Sequence, residues 1–411
     1  MKSQVTILLL TAAALLPAQA LSPAWVELGE AGHAIARIVV TAPQDCPSIQ
    51  IDGSTQPMQL RQPLPAGLRP ACEASIPPAA QSASVNGQPL ALPHGAPSNV
   101  IVLGDTGCRI KDSAIQACND PQLWPFAQVS AAAAEEHPNL VIHVGDYLYR
   151  ESPCPADSQA LCGGTPNGDN WESWNADFFT PAAKLLAAAP WAFSRGNHED
   201  CNRSWRGWFY YLDPRPFNGV CESFSPPYVV KLDAFELVML DSASVAANTL
   251  KEEQASLYAK QLASLPSLAA GAWLADHHPF WGLFTSGAKG QPGTVTPTLE
   301  EAWERAAPKG ISLVLSGHIH LFELLSFDSA RPVQLIAGDG GTQLSAPIAD
   351  SVQGLAVHGA MVLAGGTQHQ FGYTLLTRAG QSWNLTLKNR SSQPILHCVI
   401  APNAPQTKCS N

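Results

Sequence analysis

The chain has 411 residues, enough for a sizeable buried core and, at about 150 residues per domain, for two domains. Lys and Arg number 23 against 33 Asp and Glu, giving a formal net charge of −10. That balance excludes a basic nucleic-acid footprint and a polybasic membrane patch.

Residues 1–20 read as a cleaved signal peptide. Lys2 makes a short basic start, an apolar run spans residues 5–16, and Ala18 and Ala20 occupy small-residue cleavage positions. The mature chain is expected to begin at Leu21 and to be secreted or periplasmic. The run is too short to span a bilayer and no later segment could, so no membrane span is expected.

Ten cysteines in an exported chain suggest five disulfides. Without fixing connectivity, the spacings favour Cys46 with Cys72, Cys108 with Cys118, Cys154 with Cys162, Cys201 with Cys221, and Cys398 with Cys409. No CxxC occurs, which argues against thiolate metal ligation and thioredoxin-like redox work.

Residues 21–97 are rich in Pro, Ala and Gln, with short alternating pieces such as "AIARIVVTA" and "SIQIDG". They are expected to form a small amino-terminal β-sandwich-like domain with a linker. Residues 98–396 change texture to apolar runs alternating with helix-like stretches, the pattern of a layered α/β domain, and residues 397–411 read as a disulfide-closed tail. "EEQASLYAKQLASL" and "LEEAWERAA" are the clearest helices, each with acidic residues in its first turn.

Seven apolar runs of this α/β part end in Asp, Asn, His or Gly: "NVIVLGD", "LVIHVGD", "WAFSRGNHE", "LVMLDS", "AWLADHHP", "LVLSGHIH" and "VQLIAGDGG". In open α/β sheets the ligand crevice lies beyond the carboxyl ends of the strands, so these polar residues should converge. They supply Asp105, Asp146, Tyr149, Asn197, His198, His277, His278, His318 and His320. Hard oxygen donors mixed with imidazoles suit iron, manganese or zinc. A bridging carboxylate between two such sets would hold two metals roughly 3.5 to 4 Å apart, and Asp146, on a central strand, is the natural bridge.

In order, "GDTG", "GDYLY", "GNHE", "HHP" and "GHIHLFE" resemble the five motifs of the calcineurin-like metallophosphoesterases, and within them most closely the purple acid phosphatases. "GDGG" at 338–341 is similar to a further motif of plant members. The resemblance implies a four-layer α-β-β-α sandwich, here with the small amino-terminal β-sandwich, and makes residues 98–396 the metallophosphoesterase catalytic domain. Gly107 stands where most of the superfamily has a metal-binding His, and Tyr149 stands where the purple acid phosphatases place a tyrosinate. A phenol with an ordinary pKa near 10 ionises at neutral pH only beside a strongly charged ion, so iron(III) is the expected occupant.

What the resemblance implies for the site is specific. Iron(III) would be held by Asp105, Asp146, Tyr149 and His320, and a divalent iron, zinc or manganese by Asp146, Asn197, His277 and His318. In-line attack of a metal-bound hydroxide would hydrolyse a phosphate ester. Asn197 and His198 would contact the substrate, and His198 and His278 are the catalytic candidates. The His or Glu that the family places beyond "H-x-P" as leaving-group acid has no counterpart in "FWGLFTSGAKGQPG".

An exported phosphomonoesterase is the leading expectation. A phosphodiesterase on the same metals is one alternative, and a non-catalytic metal-carrying surface or binding protein is another. His143 reads as a core histidine, Asp241 as a structural partner and Glu199 as a brace for its loop. Trp205, Trp208 and Tyr210 could wall the crevice or simply pack. The disulfides near Asp105, Asp146 and His198 should stiffen the loops that carry them. Asn202, Asn384 and Asn389 lie in glycosylation sequons.

Overall fold

The structure is a computed structural model that describes residues 21–285, 292–348, 351–401 and 407–410. The expected signal peptide, residues 1–20, lies outside them, as do parts of the "FWGLFTSGAKGQPG" loop and of the carboxyl-terminal tail.

Two large sheets face each other. The first has 11 strands, and its parallel centre runs Asn99–Leu103, Leu140–His143, Trp191–Phe193 and Trp25–Leu28. The second has eight, with Phe235–Met239, Ala272–Ala275, Ile311–Ser316 and Val333–Ala337 parallel at its centre. The apolar runs are continuous because both faces of each strand are covered. Val100, Val102, Ile142 and Val144 point into the space between the sheets, where they meet Leu313, Leu315, Leu335 and Ala337.

The alternate residues point outward. Ile101, Leu103 and Val141 pack under helices α1 (Phe126–Ala134) and α2 (Thr180–Ala188) through Phe126, Val129, Leu185 and Leu186. A short helix α3 (Trp205–Tyr211) follows on the same side. On the other sheet, Leu274, Val314 and Ile336 pack under α4 (Glu252–Ala263) and α5 (Pro297–Ala306) through Tyr258, Leu262, Leu299 and Ala302. The layers are therefore α-β-β-α, and the two clearest helical stretches of the sequence are α4 and α5.

The expected break at residue 97 is not a break in the sheet. Trp25–Leu28, Ala34–Val39, Ala71–Ile76 and Gln59–Leu60 extend the 11-stranded sheet, with Glu27 registered against Trp191. Every residue of "WVEL" and "AIARIV" is buried, which requires cover on both faces, and Val26, Leu28, Ala36 and Ile38 find it in the space between the sheets. A separate four-stranded sheet is formed by Ser48–Ile51, Ser54–Pro57, Ala83–Val85 and Gln88–Pro89.

Arg37 and Arg61 tie this region to α3. Arg37 pairs with Glu27 and Glu73 at 2.8 and 2.7 Å, and Arg61 with Glu73 at 2.8 Å. The same guanidinium groups donate to the carbonyls of Tyr211 and Phe209 at the carboxyl end of α3, where positive charge complements the helix dipole.

The five disulfides are Cys46–Cys72, Cys108–Cys118, Cys154–Cys162, Cys201–Cys221 and Cys398–Cys409. Among the described residues no helix is long and apolar enough to cross a membrane.

Candidate metal centre

Asp105, Asp146 and His318 each leave the end of a central strand with positive φ, at 54°, 61° and 70°. Such backbone costs an L-residue roughly 1–3 kcal/mol and persists only where its surroundings over-determine it. Here they do. The Asp105 N–H donates to the Gly145 carbonyl and the Thr106 N–H to the Asp146 carbonyl, both at 3.0 Å, so the two carboxylate loops lock each other. Two glycines permit the close approach. A Cβ on Gly145 would lie 2.5 Å from His277 Nδ1, and one on Gly196 would lie 2.0 Å from Asp146 Oδ1.

Glu199 holds the next loop. Its carboxylate accepts from the N–H groups of Asp146, Tyr147, Leu148 and Gly196 at 2.8–3.2 Å, which is the bracing role read from the sequence. Ser242 Oγ does the same for the opposing sheet, accepting from the N–H groups of His277 and His278 at 3.0 and 2.9 Å.

The seven side chains expected as ligands converge between the sheets. Tyr149 Oη lies 2.9 Å from Asp105 Oδ1, 2.7 Å from Asp146 Oδ2 and 2.9 Å from His320 Nε2. Asn197 Oδ1 lies 3.0 Å from His277 Nε2 and 2.9 Å from His318 Nδ1. Asp146 Oδ2 joins the groups, because it is also 3.2 Å from His277 Nε2. Asp105, Asp146 and His277 offer donor atoms close enough to share one ion.

Proton counting shows what the cluster lacks. His277 Nδ1 faces the Val144 carbonyl at 2.8 Å and His320 Nδ1 the Gln343 carbonyl at 2.9 Å. A carbonyl only accepts, so both Nδ1 atoms carry hydrogens, and a neutral ring then turns its Nε2 lone pair into the cluster. The single hydrogen of Tyr149 cannot serve both carboxylate oxygens. Lone pairs crowd one another there unless a cation sits among them.

The charge balance agrees. Asp105 and Asp146 are fully buried, and among the described residues their ion-pair partners are all imidazoles. Burial works against charge on His277, yet the Asp146 carboxylate beside it holds its pKa up at about 10. Burial, then the neighbouring His277, pushes His318 down to about 3. Burial and the two carboxylates raise the Tyr149 phenol well above its ordinary range. Two buried carboxylates and a reluctant phenol, faced by imidazoles of which His318 is held neutral, make a site suited to added positive charge. The donor set fits added metal.

The catalytic candidates flank this cluster. His198 donates its N–H to Asp146 Oδ1 at 2.8 Å, sets its ring tilted against that of Tyr149 with centroids 3.7 Å apart, and holds Nε2 3.9 Å from Asp146 Oδ2. Its Nδ1 lies 2.5 Å from Glu151 Oε1. His278 is buried with its ring 4.1 Å from that of His318. Sequence reasoning passed over Glu151, although an acid five residues after Asp146 in a loop heading for Cys154 was the available signal.

The structural readings also find their places. His143 is a core residue, with Nε2 3.1 Å from Thr106 Oγ1 and its ring stacked on Tyr147. Asp241 pairs with Arg195 at 2.7 Å. Trp208 and Tyr210 are buried in the helix-side core, so they pack rather than wall a crevice, and Trp205 is half-buried against it. Gly107 has no space for a side chain, since its Cβ would meet the Tyr147 carbonyl at 2.5 Å and the Tyr149 nitrogen at 2.9 Å.

Comparison with known proteins gives a consistent picture. The family model for calcineurin-like phosphoesterases matches residues 98–322, more than half of the chain. No curated protein matches the sequence. The fold is similar to that of a purple acid phosphatase from yellow lupin (Lupinus luteus) seeds, with a TM-score of 0.58 at 14% identity, covering 90% of this chain and 72% of that one. It is also similar to the structure of PhoD, with a TM-score of 0.55 at 10% identity, covering 94% and 91%. At such identities the likeness is one of fold.

Proposed function

From the premise that this chain belongs to the calcineurin-like phosphoesterase family and is a metal-dependent phosphoric ester hydrolase, we propose that it is an exported dinuclear-metal phosphomonoesterase. Asp105, Asp146, Tyr149 and His320 would hold iron(III). Asp146, Asn197, His277 and His318 would hold a divalent iron, zinc or manganese. The single observation that carries this reading is Tyr149 Oη, which lies within 2.9 Å of two carboxylate oxygens and an imidazole nitrogen and has one hydrogen to offer them. A phenolate on a strongly charged ion would relieve that crowding.

When bound, such a pair supplies an activated water and neutralises charge on the phosphoryl oxygens. The chain's own residues then position the ester. Asn197 and His198 border the shared carboxylate, and Glu151 beside Nδ1 sets the His198 ring so that Nε2 faces Asp146. From there Nε2 can hydrogen-bond a phosphoryl or leaving-group oxygen, a contact whose value lies in fixed geometry within a dry site. His278, lodged against His318, is the second candidate for the same contact.

The five disulfides and the signal-like amino terminus support export. The test is turnover of a nitrophenyl phosphomonoester beside its bis-ester, after loading with iron and zinc. The reading predicts clear preference for the monoester. Preference for the bis-ester would replace it with a phosphodiesterase, and turnover of neither would favour a metal-carrying binding protein.

A further inference from the structure

Resting on that metal-pair reading, we infer that Gln116 is a positioning residue for the metal on the Tyr149 side. Gln116 follows the hairpin of Ile110–Lys111 and Ala114–Ile115, inside the loop closed by Cys108–Cys118. It is buried, and its amide has every bond it can make in this setting. Oε1 accepts from the N–H groups of Arg109 at 3.1 Å and Gln343 at 3.0 Å. Nε2 donates to the carbonyls of Leu123 at 2.8 Å and Gly341 at 3.0 Å.

Two of those four partners belong to the segment that grips the Tyr149 side. Gln343 accepts at its carbonyl from His320 Nδ1 at 2.9 Å. Ser345 exchanges bonds with His320, donating its N–H to the His320 carbonyl and taking the His320 N–H on Oγ. Thr342 donates its N–H to the Asp105 carbonyl at 2.8 Å and its hydroxyl to the Gly107 carbonyl at 2.6 Å. Residues 341–345 therefore set the positions of Asp105 and His320 together, and Gln116 clasps this segment at the Gly341 carbonyl and the Gln343 N–H.

The consequence is selective. His320 offers its Nε2 lone pair to a cation because the Gln343 carbonyl keeps the hydrogen on Nδ1 and fixes the ring plane. If the Gln343 peptide is released, both tautomer and direction become free. On the other side His277 takes its Nδ1 partner from Val144, on a strand end that Gln116 does not touch. Loss of Gln116 should loosen one metal and leave the other.

The test compares wild type with Gln116→Leu and Gln116→Glu, using the whole mature chain loaded with iron and zinc. Gln116→Glu keeps Oε1 for Arg109 and Gln343 and, as the neutral acid, can still donate to one of the two carbonyls, so it serves if the leucine variant does not fold. Bound metal is followed during chelator titration by elemental analysis and by the visible phenolate band. The expected result is loss of the band at roughly 10-fold lower chelator in Gln116→Leu, a smaller shift in Gln116→Glu, and unchanged retention of the second metal. Unchanged retention of both metals, or equal weakening of both, would overturn the assignment. Wild type holding fewer than two metals would instead overturn the metal-pair reading, and this inference with it.

Discussion

The two halves of the candidate centre are built differently although they share Asp146. The Tyr149 half is rich in oxygen donors: Tyr149 and Asp105 are fully buried, and the segment 341–345 braces it from outside. The Asn197 half is rich in imidazole, is partly open at Asn197 and His318, and is held by Glu199 and Ser242. Hard, charged donors in a closed setting suit a trivalent ion, and imidazoles in an open one suit a divalent ion that must also meet substrate. On the proposed reading, one fold would make two unlike sites by the choice of residue at each strand end.

Removing what the halves share should have the largest effect. Asp146→Asn is expected to empty both sites and lower kcat/KM by about 10³-fold or more, the scale felt when stabilisation of developing charge is lost. Metal analysis checks it, and retention of two metals would break the idea of a shared carboxylate. Tyr149→Phe should then separate the halves. The visible band disappears, the Asn197-side metal stays, and the circular dichroism spectrum is unchanged. A band that survives would mean that the phenol is not a ligand.

Glu151→Gln touches neither half directly. It frees the His198 ring, so turnover should fall by roughly 10²-fold while both metals remain. Equal loss of metal and turnover would make Glu151 part of the cage instead.

The smallest effect is a matter of pH and stability alone. Glu323, just beyond the His320 motif, is fully buried, and burial raises its pKa to about 8 against the opposing N–H of Leu283. A carboxyl whose folded pKa lies above its unfolded value stabilises the fold at low pH. That stability is lost as pH rises from about 4.5 to about 8, since only the folded chain still holds the proton there. Glu323→Gln should therefore raise the thermal midpoint by a few degrees at pH 8 relative to wild type, change little at pH 5, and leave both metals bound. An identical pH slope in wild type and variant would refute it.

The strand ends were legible in the sequence because each expected ligand stands just past an apolar run, and an apolar run followed by Gly and a polar residue is a local signal. Tyr149, three residues after Asp146, drew notice beside that strand end, but its expected ligand role came from the resemblance to the purple acid phosphatases. What holds these residues was not. Gln116 and Gln343 are 227 positions apart, and no local pattern pairs an amide with a peptide across that distance. Glu151 acts on His198 only because two separate loops meet. How the amino-terminal strands join the rest was not legible either, because registration of Glu27 against Trp191 is a long-range event. Trp208 and Tyr210 could be read either as wall or as core until their burial decided it.

The most direct measurement is anomalous diffraction from crystals of the protein loaded with iron and zinc, collected at both absorption edges. The account predicts two peaks separated by roughly 3.5 to 4 Å, with iron beside Tyr149 Oη, the second ion beside Asn197 Oδ1, and Asp146 touching both. A single peak, or no iron next to Tyr149, would contradict it.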